Sequence, residues 1–229
     1  MDARKAHPSD AVRLAHPVLF VSSALRFVQG EWALVTGATD GIGKAMCFEL
    51  ARRGLNVLLV SRSLTKLNEV ADELSAKYPK VATKVVAVDF SNFDSAAQGK
   101  VRAQIEQLEV GVLVNNVGMS YAHPTYFAEL SHADVVSMIA LNVTSTTIMT
   151  HLALPRMVER KRGAIVCISS AASQLPANPL LAQYAAAKAY VDKSVLQRPC
   201  ARPALRVGLL AASYANRVLF PRACRCFLL

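Results

Sequence analysis

The sequence predicts an α/β protein with a doubly wound parallel sheet, and three observations support this prediction. Short apolar runs alternate with amphipathic stretches of helical period, which is the pattern of repeated βα units. The runs contain Val, Leu and Ile without polar alternation, as expected where helices cover both faces of a sheet. A glycine-rich turn joins the first run to the first amphipathic stretch. With right-handed crossovers, these units form a Rossmann-type sandwich of three layers, with the last strands incomplete.

The individual elements follow from the two hydrophobic periods. The predicted strands cover residues 32–36, 56–60, 84–89, 112–115 and 164–169. The predicted helices cover residues 44–53, 64–78, 95–108, 133–159 and 181–198. A sixth strand over residues 205–210 remains possible.

Length and charge limit the classes of protein to consider. A chain of 229 residues with 53% hydrophobic residues is long enough for one sizeable core. Residues 194–229 contain six arginines and neither a lysine nor an acid, so much of the net charge of +10 belongs to the tail. The body has no basic helix with interleaved aromatics, and we therefore expect no nucleic-acid partner. We divide the chain into an N-terminal segment (1–29), a nucleotide-binding catalytic domain (30–193) and an atypical basic tail (194–229).

The N-terminal segment and the cysteines indicate neither a membrane span nor a metal. The apolar stretch over residues 14–25 is interrupted by His16, Pro17 and two serines, and it is too short and too polar to cross a bilayer. A segment lying on a membrane surface remains possible. Five cysteines form neither a disulfide framework nor a metal-binding pattern, so we expect free thiols and no metal.

The glycine-rich turn reads TGATDGIGKA and lies between a predicted strand and a predicted helix. Glycine allows a tight turn, close approach of a pyrophosphate and close packing of the helix on the strand. The helix N-terminus then offers free N–H groups to phosphate. The spacing GxxxGxG differs from the common GxGxxG, so an ordinary glycine-rich turn is the alternative. The predicted phosphate-binding residues are Gly37, Thr39, Asp40, Gly41, Ile42 and Gly43.

The end of the second predicted strand indicates which dinucleotide fits. An acid at this place binds the ribose 2′-hydroxyl of NAD, whereas an arginine accommodates the 2′-phosphate of NADP. Here the strand ends in Ser61 and Arg62, and no acid follows until Glu69. We therefore predict NADP(H), with Ser61 and Arg62 at the 2′-phosphate. An arginine that is only a solvated loop charge would leave the preference open.

Tyr184 and Lys188 are the predicted catalytic pair. They stand four residues apart in an alanine-rich stretch that favours helix, so their side chains share one face. An ammonium group beside a phenol stabilises the phenolate, so that Tyr184 can give a proton to a carbonyl oxygen as hydride arrives from a nicotinamide. A surface helix pair would show the same spacing, and the motif alone does not decide.

Residues at the ends of two further predicted strands support the assignment of Tyr184 and Lys188 as a catalytic pair. The fifth predicted strand ends in Ser169 and Ser170, at the edge where open α/β sheets bind ligands. A serine hydroxyl there can donate to the substrate oxygen and help to orient Tyr184. The fourth strand is followed by Asn116 and Gly118, whose backbone would allow close approach of the cofactor.

Six short motifs follow one another along the chain: TGATDGIG, SRS, NNVG, LNVTS, ISS and YAAAK. In this order they resemble the short-chain dehydrogenase/reductase family over roughly residues 31–192. Within that family, the first of these stretches and ELARRGLNVLLVSRS look most like the very-long-chain 3-oxoacyl-CoA reductases and the related 17-beta-hydroxysteroid dehydrogenases. Those proteins are NADPH-dependent carbonyl reductases of the endoplasmic reticulum membrane. The resemblance implies a reductase of 3-oxoacyl-CoA in fatty acid elongation, or of a steroid ketone.

The resemblance also implies roles for single residues. Asn142 of LNVTS would hold a water in a proton relay, Lys188 would also bind the nicotinamide ribose, and Asp89 would contact adenine. From the residues alone, the alternatives are that Asn142 is a polar residue at a helix kink and that Asp89 caps the end of a strand. The resemblance further implies a homodimer formed by the helices over residues 133–159 and 181–198.

The chain departs from the family pattern in two places. Ser170 lies fourteen positions before Tyr184, one more than is usual, which an extra residue between Gln174 and Pro179 would explain. Ser173 is the alternative hydroxyl donor. After Lys188 no Pro-Gly turn follows, and the arginine-rich end resembles a frameshifted or alternatively spliced terminus. A catalytically silent NADP(H)-binding protein or fragment is therefore the second interpretation of the chain.

Overall fold

Five parallel strands form one sheet in the order β3-β2-β1-β4-β5 in the computed structural model, which describes residues 30–175 and 177–196. The strands are β1 (Trp32–Thr36), β2 (Asn56–Ser61), β3 (Thr83–Ala87), β4 (Val110–Asn115) and β5 (Ala164–Cys167). From β1 the chain builds outward to β3 and then returns to place β4 on the other side of β1. The strand order therefore reverses between β1 and β4, which is where doubly wound sheets open a ligand crevice at their carboxyl ends.

Helices cover both faces of this sheet. They are α1 (Gly41–Arg52), α2 (Leu64–Lys77), α3 (Ser95–Gln107), α4 (His132–Ile139), α5 (Ser145–Glu159) and α6 (Ala182–Leu196). A π-helical turn, Ala140–Thr144, joins α4 directly to α5. Short 3₁₀ turns lie at Phe90–Asn92, Phe127–Glu129, Ala171–Gln174 and Pro179–Leu181.

Alternate side chains of the strands pack into two separate hydrophobic cores, one on each face of the sheet. Ala33 and Val35 of β1 face a cluster formed with α1 and α2. Trp32 and Leu34 face the opposite cluster, which includes side chains of α3, α5 and α6. Both faces of β1 are buried, which explains why its sequence is apolar throughout.

Side-chain caps mark where several helices begin. The carboxylate of Asp94 accepts the Ala97 N–H at 2.8 Å at the start of α3, and the hydroxyl of Ser131 accepts the Asp134 N–H at 3.1 Å at the start of α4. Such caps satisfy backbone donors that have no partner within the helix. The local sequence therefore determines where these helices begin.

The predicted fold class is confirmed, with corrections to several bounds. The third strand ends at Ala87 rather than at residue 89, because Asp89 instead caps the 3₁₀ turn that follows. The fifth strand ends at Cys167 rather than at residue 169. The predicted single helix over residues 133–159 contains the π turn. The first helix begins at Gly41, three residues before the predicted start.

Some predictions fall outside the described residues. These are the N-terminal segment with its apolar stretch, the possible strand over residues 205–210, the end of the last helix beyond residue 196 and most of the basic tail. In the described part, the helical stretch His132–Glu159 is the one that is long and apolar enough to cross a membrane by length and composition. It packs against β4 through α5 and forms part of the sheet's own helical layer.

Candidate active site

The glycine-rich turn lies between β1 and α1 at the carboxyl edge of the sheet. Gly37 and Gly41 both have positive φ, +64° and +52°, a conformation that side chains disfavour. The carboxylate of Asp40 accepts the Gly41 N–H at 2.7 Å and so caps α1. A Cβ on Gly43 would collide with the Gly37 carbonyl oxygen and lie 2.5 Å from Nδ2 of Asn116. The turn is thus built for close packing of α1, with the helix N-terminus open at Gly41, where a Cβ would meet nothing within 4 Å.

Asn116 holds the glycine-rich turn to the end of β4. Its Nδ2 lies 3.1 Å from the Thr36 carbonyl oxygen and 3.2 Å from that of Gly37. The Thr36 hydroxyl in turn accepts the N–H groups of Asn116 and Val117, at 3.0 and 3.2 Å. Asn116 therefore supports the turn with its side-chain amide, and sequence reasoning did not find the part played by Thr36.

The residues predicted for the adenosine end lie on the neighbouring strands. The hydroxyls of Thr39 and Ser61 are 3.1 Å apart, which ties the glycine-rich turn to the end of β2. Arg62 follows Ser61 and is exposed. Asp89 is also exposed, and hydrogen bonds from the Ser91 hydroxyl and N–H lower the pKa of its carboxyl, with a smaller contribution from the charge of Arg62. A negative Asp89 and a positive Arg62 thus border the same edge.

Tyr184 and Lys188 lie one turn apart on α6, as predicted. The Nζ of Lys188 is 5.8 Å from the centroid of the Tyr184 ring. It donates to the Ile168 carbonyl oxygen at 2.9 Å, and only 5% of the residue is exposed. Burial lowers the pKa of Lys188 to about 8, against the opposing effects of Cys167 and Asp192. An ammonium with such a pKa exchanges its proton close to physiological pH.

Asn142 lies in the π turn and is fully buried. Its Nδ2 donates to the carbonyl oxygens of Met119 and Met138, each at 3.0 Å. Its Oδ1 is buried and has no hydrogen-bond partner among the described residues. A π turn inserted in a helix is frequent at functional sites, because it redirects one side chain and frees backbone groups.

Gly118 is the point at which these side chains meet. A Cβ built on it would lie 2.6 Å from Oδ1 of Asn142 and 2.9 Å from Nζ of Lys188. Three separate elements, the loop after β4, the π turn and α6, therefore converge on one exposed backbone position. An acceptor and a cation thus lie buried beside this backbone position, and the unpaired Oδ1 fits a donor such as a water.

Of the serines after β5, Ser170 is the one whose hydroxyl is available. Ser169 is buried, and its Oγ donates to the Lys188 carbonyl oxygen at 3.2 Å. Ser173 contacts Asp192 and the Ser170 carbonyl oxygen. The Oγ of Ser170 accepts the Ala172 N–H at 3.2 Å, and its proton has no acceptor within the described ranges. The geometry thus favours Ser170 over Ser173 as a donor.

Tyr121 is a residue that sequence reasoning missed. Its hydroxyl accepts the N–H of Gln183, in the first turn of α6, at 2.9 Å. Nearby, the Thr125 N–H donates to the Leu180 carbonyl oxygen at 3.0 Å. The loop after β4 therefore fastens the entry of the helix that carries Tyr184. A polar aromatic residue shortly after NNVG was the only signal in the sequence.

The lowered pKa of Lys188 predicts a pH-dependent stability. Below about pH 8 the folded protein holds a buried ammonium, whereas the unfolded chain keeps its proton up to the ordinary value of about 10.5. The unfolded state thus binds more protons between these values, so the free energy of unfolding rises with pH, by about 3 kcal/mol in total. Lys188→Met removes this group, so its stability relative to wild type should fall by about that amount from pH 7 to pH 10. Denaturant titrations of both proteins measure the difference, and parallel pH profiles would contradict the buried ammonium.

The family model of the short chain dehydrogenases matches residues 31–212, most of this chain. The chain belongs to the short chain dehydrogenase family. The match continues past residue 192, where the quoted motifs end, and includes part of the arginine-rich segment. Among the described residues of this short chain dehydrogenase there is no group of three or more His, Cys, Asp and Glu side chains that could hold a metal.

Relatives and solved structures agree with this assignment. A very-long-chain 3-oxoacyl-CoA reductase of Bos taurus is 51% identical over 165 residues, 71% of this chain and 52% of the relative. The short chain dehydrogenase described here therefore spans about half the length of that relative. A short-chain dehydrogenase from Sphingobium yanoikuyae, solved in complex with NADPH, shares 30% identity at a TM-score of 0.64 over 70% of this chain and 61% of its own. A structure of a 7beta-hydroxysteroid dehydrogenase shares 33% identity at a TM-score of 0.67 over 75% and 66%.

Proposed function

We propose that this chain is an NADPH-dependent carbonyl reductase that reduces a 3-oxoacyl-CoA to the 3-hydroxyacyl-CoA, as part of fatty acid elongation. The observation that carries this proposal is the convergence of Asn142 and Lys188 on Gly118, beside Tyr184 and at the switch point of the sheet. The acyl-CoA substrate is proposed from the 51% identity to a very-long-chain 3-oxoacyl-CoA reductase.

Gly118, Asn142 and Lys188 together form what we call the Gly118 cradle. This cradle fits a nicotinamide cofactor. In the proposed site Lys188 would bind the ribose, the N-terminus of α1 would bind the pyrophosphate, and Arg62 with Ser61 would bind the 2′-phosphate. Asp89 would contact the adenine. When bound, NADPH supplies the hydride that goes to the carbonyl carbon of the substrate.

The chain's own residues handle the proton and the developing charge. Tyr184 donates its phenolic proton to the carbonyl oxygen, and Ser170 donates a hydrogen bond to the same oxygen as negative charge grows there. Lys188 stabilises the phenolate left on Tyr184. The Oδ1 of Asn142 holds a water through which a proton returns toward Lys188 and Tyr184. The pKa of Lys188, about 8, supports this relay because the group gains and loses a proton in the working range.

The reductase is tested with the full chain, NADPH and three kinds of sample: a long-chain 3-oxoacyl-CoA, a steroid ketone and buffer alone. Loss of the NADPH absorbance with the acyl-CoA supports the proposal. Oxidation with the steroid alone would move the substrate class to steroid ketones, which the likeness to the 7beta-hydroxysteroid dehydrogenase makes the second candidate. A melting temperature that rises with NADPH without any turnover would establish the catalytically silent binder instead.

Arg62 provides a test of the cofactor. Arg62→Ala should weaken NADPH binding about tenfold to a hundredfold and leave NADH binding within about twofold, because a charge-assisted hydrogen bond to the 2′-phosphate is lost. Titrations of intrinsic fluorescence with each nucleotide measure this ratio. Arg102→Ala, which removes another exposed arginine on α3, is the matched control and should change neither affinity. Equal weakening of both nucleotides would refute the assignment of Arg62.

Location and assembly extend the proposal. The family resemblance implies the endoplasmic reticulum membrane, and very long acyl chains partition into membranes, so we propose that the enzyme acts at that membrane surface. The homodimer implied by family resemblance would use the α4–α5 stretch and α6. Cross-linking and sedimentation of the full chain, with and without vesicles, test both statements.

A further inference from the structure

Asp192 is a buried carboxylate that the proposed reaction does not use. It lies on α6 one turn after Lys188, and only 3% of it is exposed. Lys188 and Asp192 are the charged residues that are buried in the part of the chain that the structure describes. Burying a carboxylate costs free energy unless it is well hydrogen-bonded, and Oδ1 of Asp192 has no partner among those residues. The charge of Asp192 favours the nearby buried ammonium of Lys188, but its Oδ1 adds no hydrogen bond within the described part of the chain.

The other oxygen of Asp192 holds the turn that begins at Ser170. Its Oδ2 accepts a hydrogen bond from the Ser173 hydroxyl and one of 2.8 Å from Nε2 of Gln174. The Ser173 Oγ also lies 2.6 Å from the Ser170 carbonyl oxygen, and the Ser173 N–H donates to that oxygen at 3.1 Å. The carboxylate thus binds both side chains at the end of the 3₁₀ turn that Ser170 caps.

The segment over residues 168–174 is fastened to α6 at two levels. Near the site, Nζ of Lys188 donates to the Ile168 carbonyl oxygen, and the Lys188 carbonyl oxygen accepts from the Ser169 hydroxyl. One helical turn further, Asp192 binds Ser173 and Gln174. Ser170 lies between these two attachments, so its position relative to Tyr184 depends on both.

We propose that Asp192 is a positioning residue that sets the place of Ser170 beside Tyr184 by anchoring the turn Ala171–Gln174 to α6. This inference rests on the proposed reductase function. Ser170 and Tyr184 are fourteen positions apart. An additional residue between Gln174 and Pro179 would lie beyond the anchored turn and would leave Ser170 in place.

Turnover provides the first test. Asp192→Asn keeps the shape of the side chain but removes its negative charge, so the charge-assisted hydrogen bonds from Ser173 and Gln174 become weaker bonds to a neutral amide oxygen. We expect kcat to fall about tenfold to a hundredfold, as for other residues that orient a reacting group, with KM and NADPH affinity within about twofold. Asp72→Asn, an exposed acid on α2, is the matched control.

A double-mutant cycle separates positioning from a merely structural role. If Asp192 acts through Ser170, adding Asp192→Asn to Ser170→Ala should lower kcat no further. A further loss equal to that of Asp192→Asn alone, or an unchanged kcat in Asp192→Asn, would overturn the proposal.

Amide hydrogen exchange tests the anchor without any turnover. In Asp192→Asn the amides of Ala172 and Ser173 should exchange about tenfold faster or more, while those of β1 keep their wild-type rates. Unchanged exchange in the turn would overturn the anchor even if the enzyme were active. Faster exchange in a chain without turnover would support the anchor and refute the reductase function separately.

Discussion

Tyr184→Phe is expected to lower the turnover of a 3-oxoacyl-CoA about 10²-fold to 10⁴-fold, which is the usual contribution of a general acid. The substitution removes the phenolic proton that is proposed to go to the carbonyl oxygen and keeps the ring beside Nζ of Lys188, at 5.8 Å. NADPH affinity should stay within about twofold, because the phosphate-binding turn and Arg62 are untouched. Stopped-flow measurement of NADPH oxidation, with a parallel fluorescence titration, gives both quantities.

Tyr190→Phe is the matched control for this experiment. Tyr190 lies on the same helix, is 42% exposed, and has its hydroxyl 2.9 Å from that of Thr147, on α5. Its loss should change turnover by no more than about twofold, since the hydroxyl bonds to a helix outside the Gly118 cradle. Equal losses in the two variants would show that α6 requires its tyrosines for folding, and full activity of Tyr184→Phe would refute the proton donor.

Gly118→Ala is expected to abolish NADPH binding, with an affinity at least about a hundredfold lower. The added Cβ would lie 2.6 Å from Oδ1 of Asn142 and 2.9 Å from Nζ of Lys188, closer than real contacts allow. Nζ of Lys188 is held by its bond to the Ile168 carbonyl oxygen, and the Asn142 side chain is held through its Nδ2, so neither atom is free to make room for the methyl group. Isothermal titration with NADPH measures the loss.

Gly99→Ala shows what a harmless methyl group does in the same protein. Gly99 lies in α3, where a Cβ would meet no atom within 4 Å. Alanine should raise the free energy of unfolding by about 0.5 to 1 kcal/mol through helix propensity, with NADPH binding unchanged. If Gly118→Ala binds NADPH as tightly as Gly99→Ala does, the cradle at Gly118 is not the nicotinamide site.

The strands and the starts of the helices could be predicted because their causes are local. The apolar runs at β1, β2 and β4 are buried on both faces, and a capping side chain such as Asp94 lies directly before its helix. Errors arose where a polar residue beyond a strand made a new contact. Asp89 does not continue β3, because its carboxylate accepts a hydrogen bond from the N–H of Ser91 in the 3₁₀ turn that follows.

The candidate site was predicted in part. The pairing of Tyr184 with Lys188 needs only the helical period, and the structure confirms that both side chains share a face. The roles of Tyr121 and Asp192 depend on partners 62 and 18 to 19 residues away, so no spacing rule could have found them. The π turn at Asn142 was equally hidden, because its sequence continues the helical pattern on both sides.

By itself, the sequence determined the parallel α/β sheet, the glycine-rich turn and the tyrosine-lysine couple, since hydrophobic period, glycine conformation and helical spacing act over a few neighbouring residues. Only the tertiary structure decided that Asn142, Lys188 and Gly118 lie together and that Ser170, rather than Ser169 or Ser173, has a hydroxyl proton without an acceptor among residues 30–175 and 177–196. Each of those outcomes depends on which hydrogen-bond partners from distant segments come close to one another. The partners are brought together only when the segments pack on the same edge of the sheet.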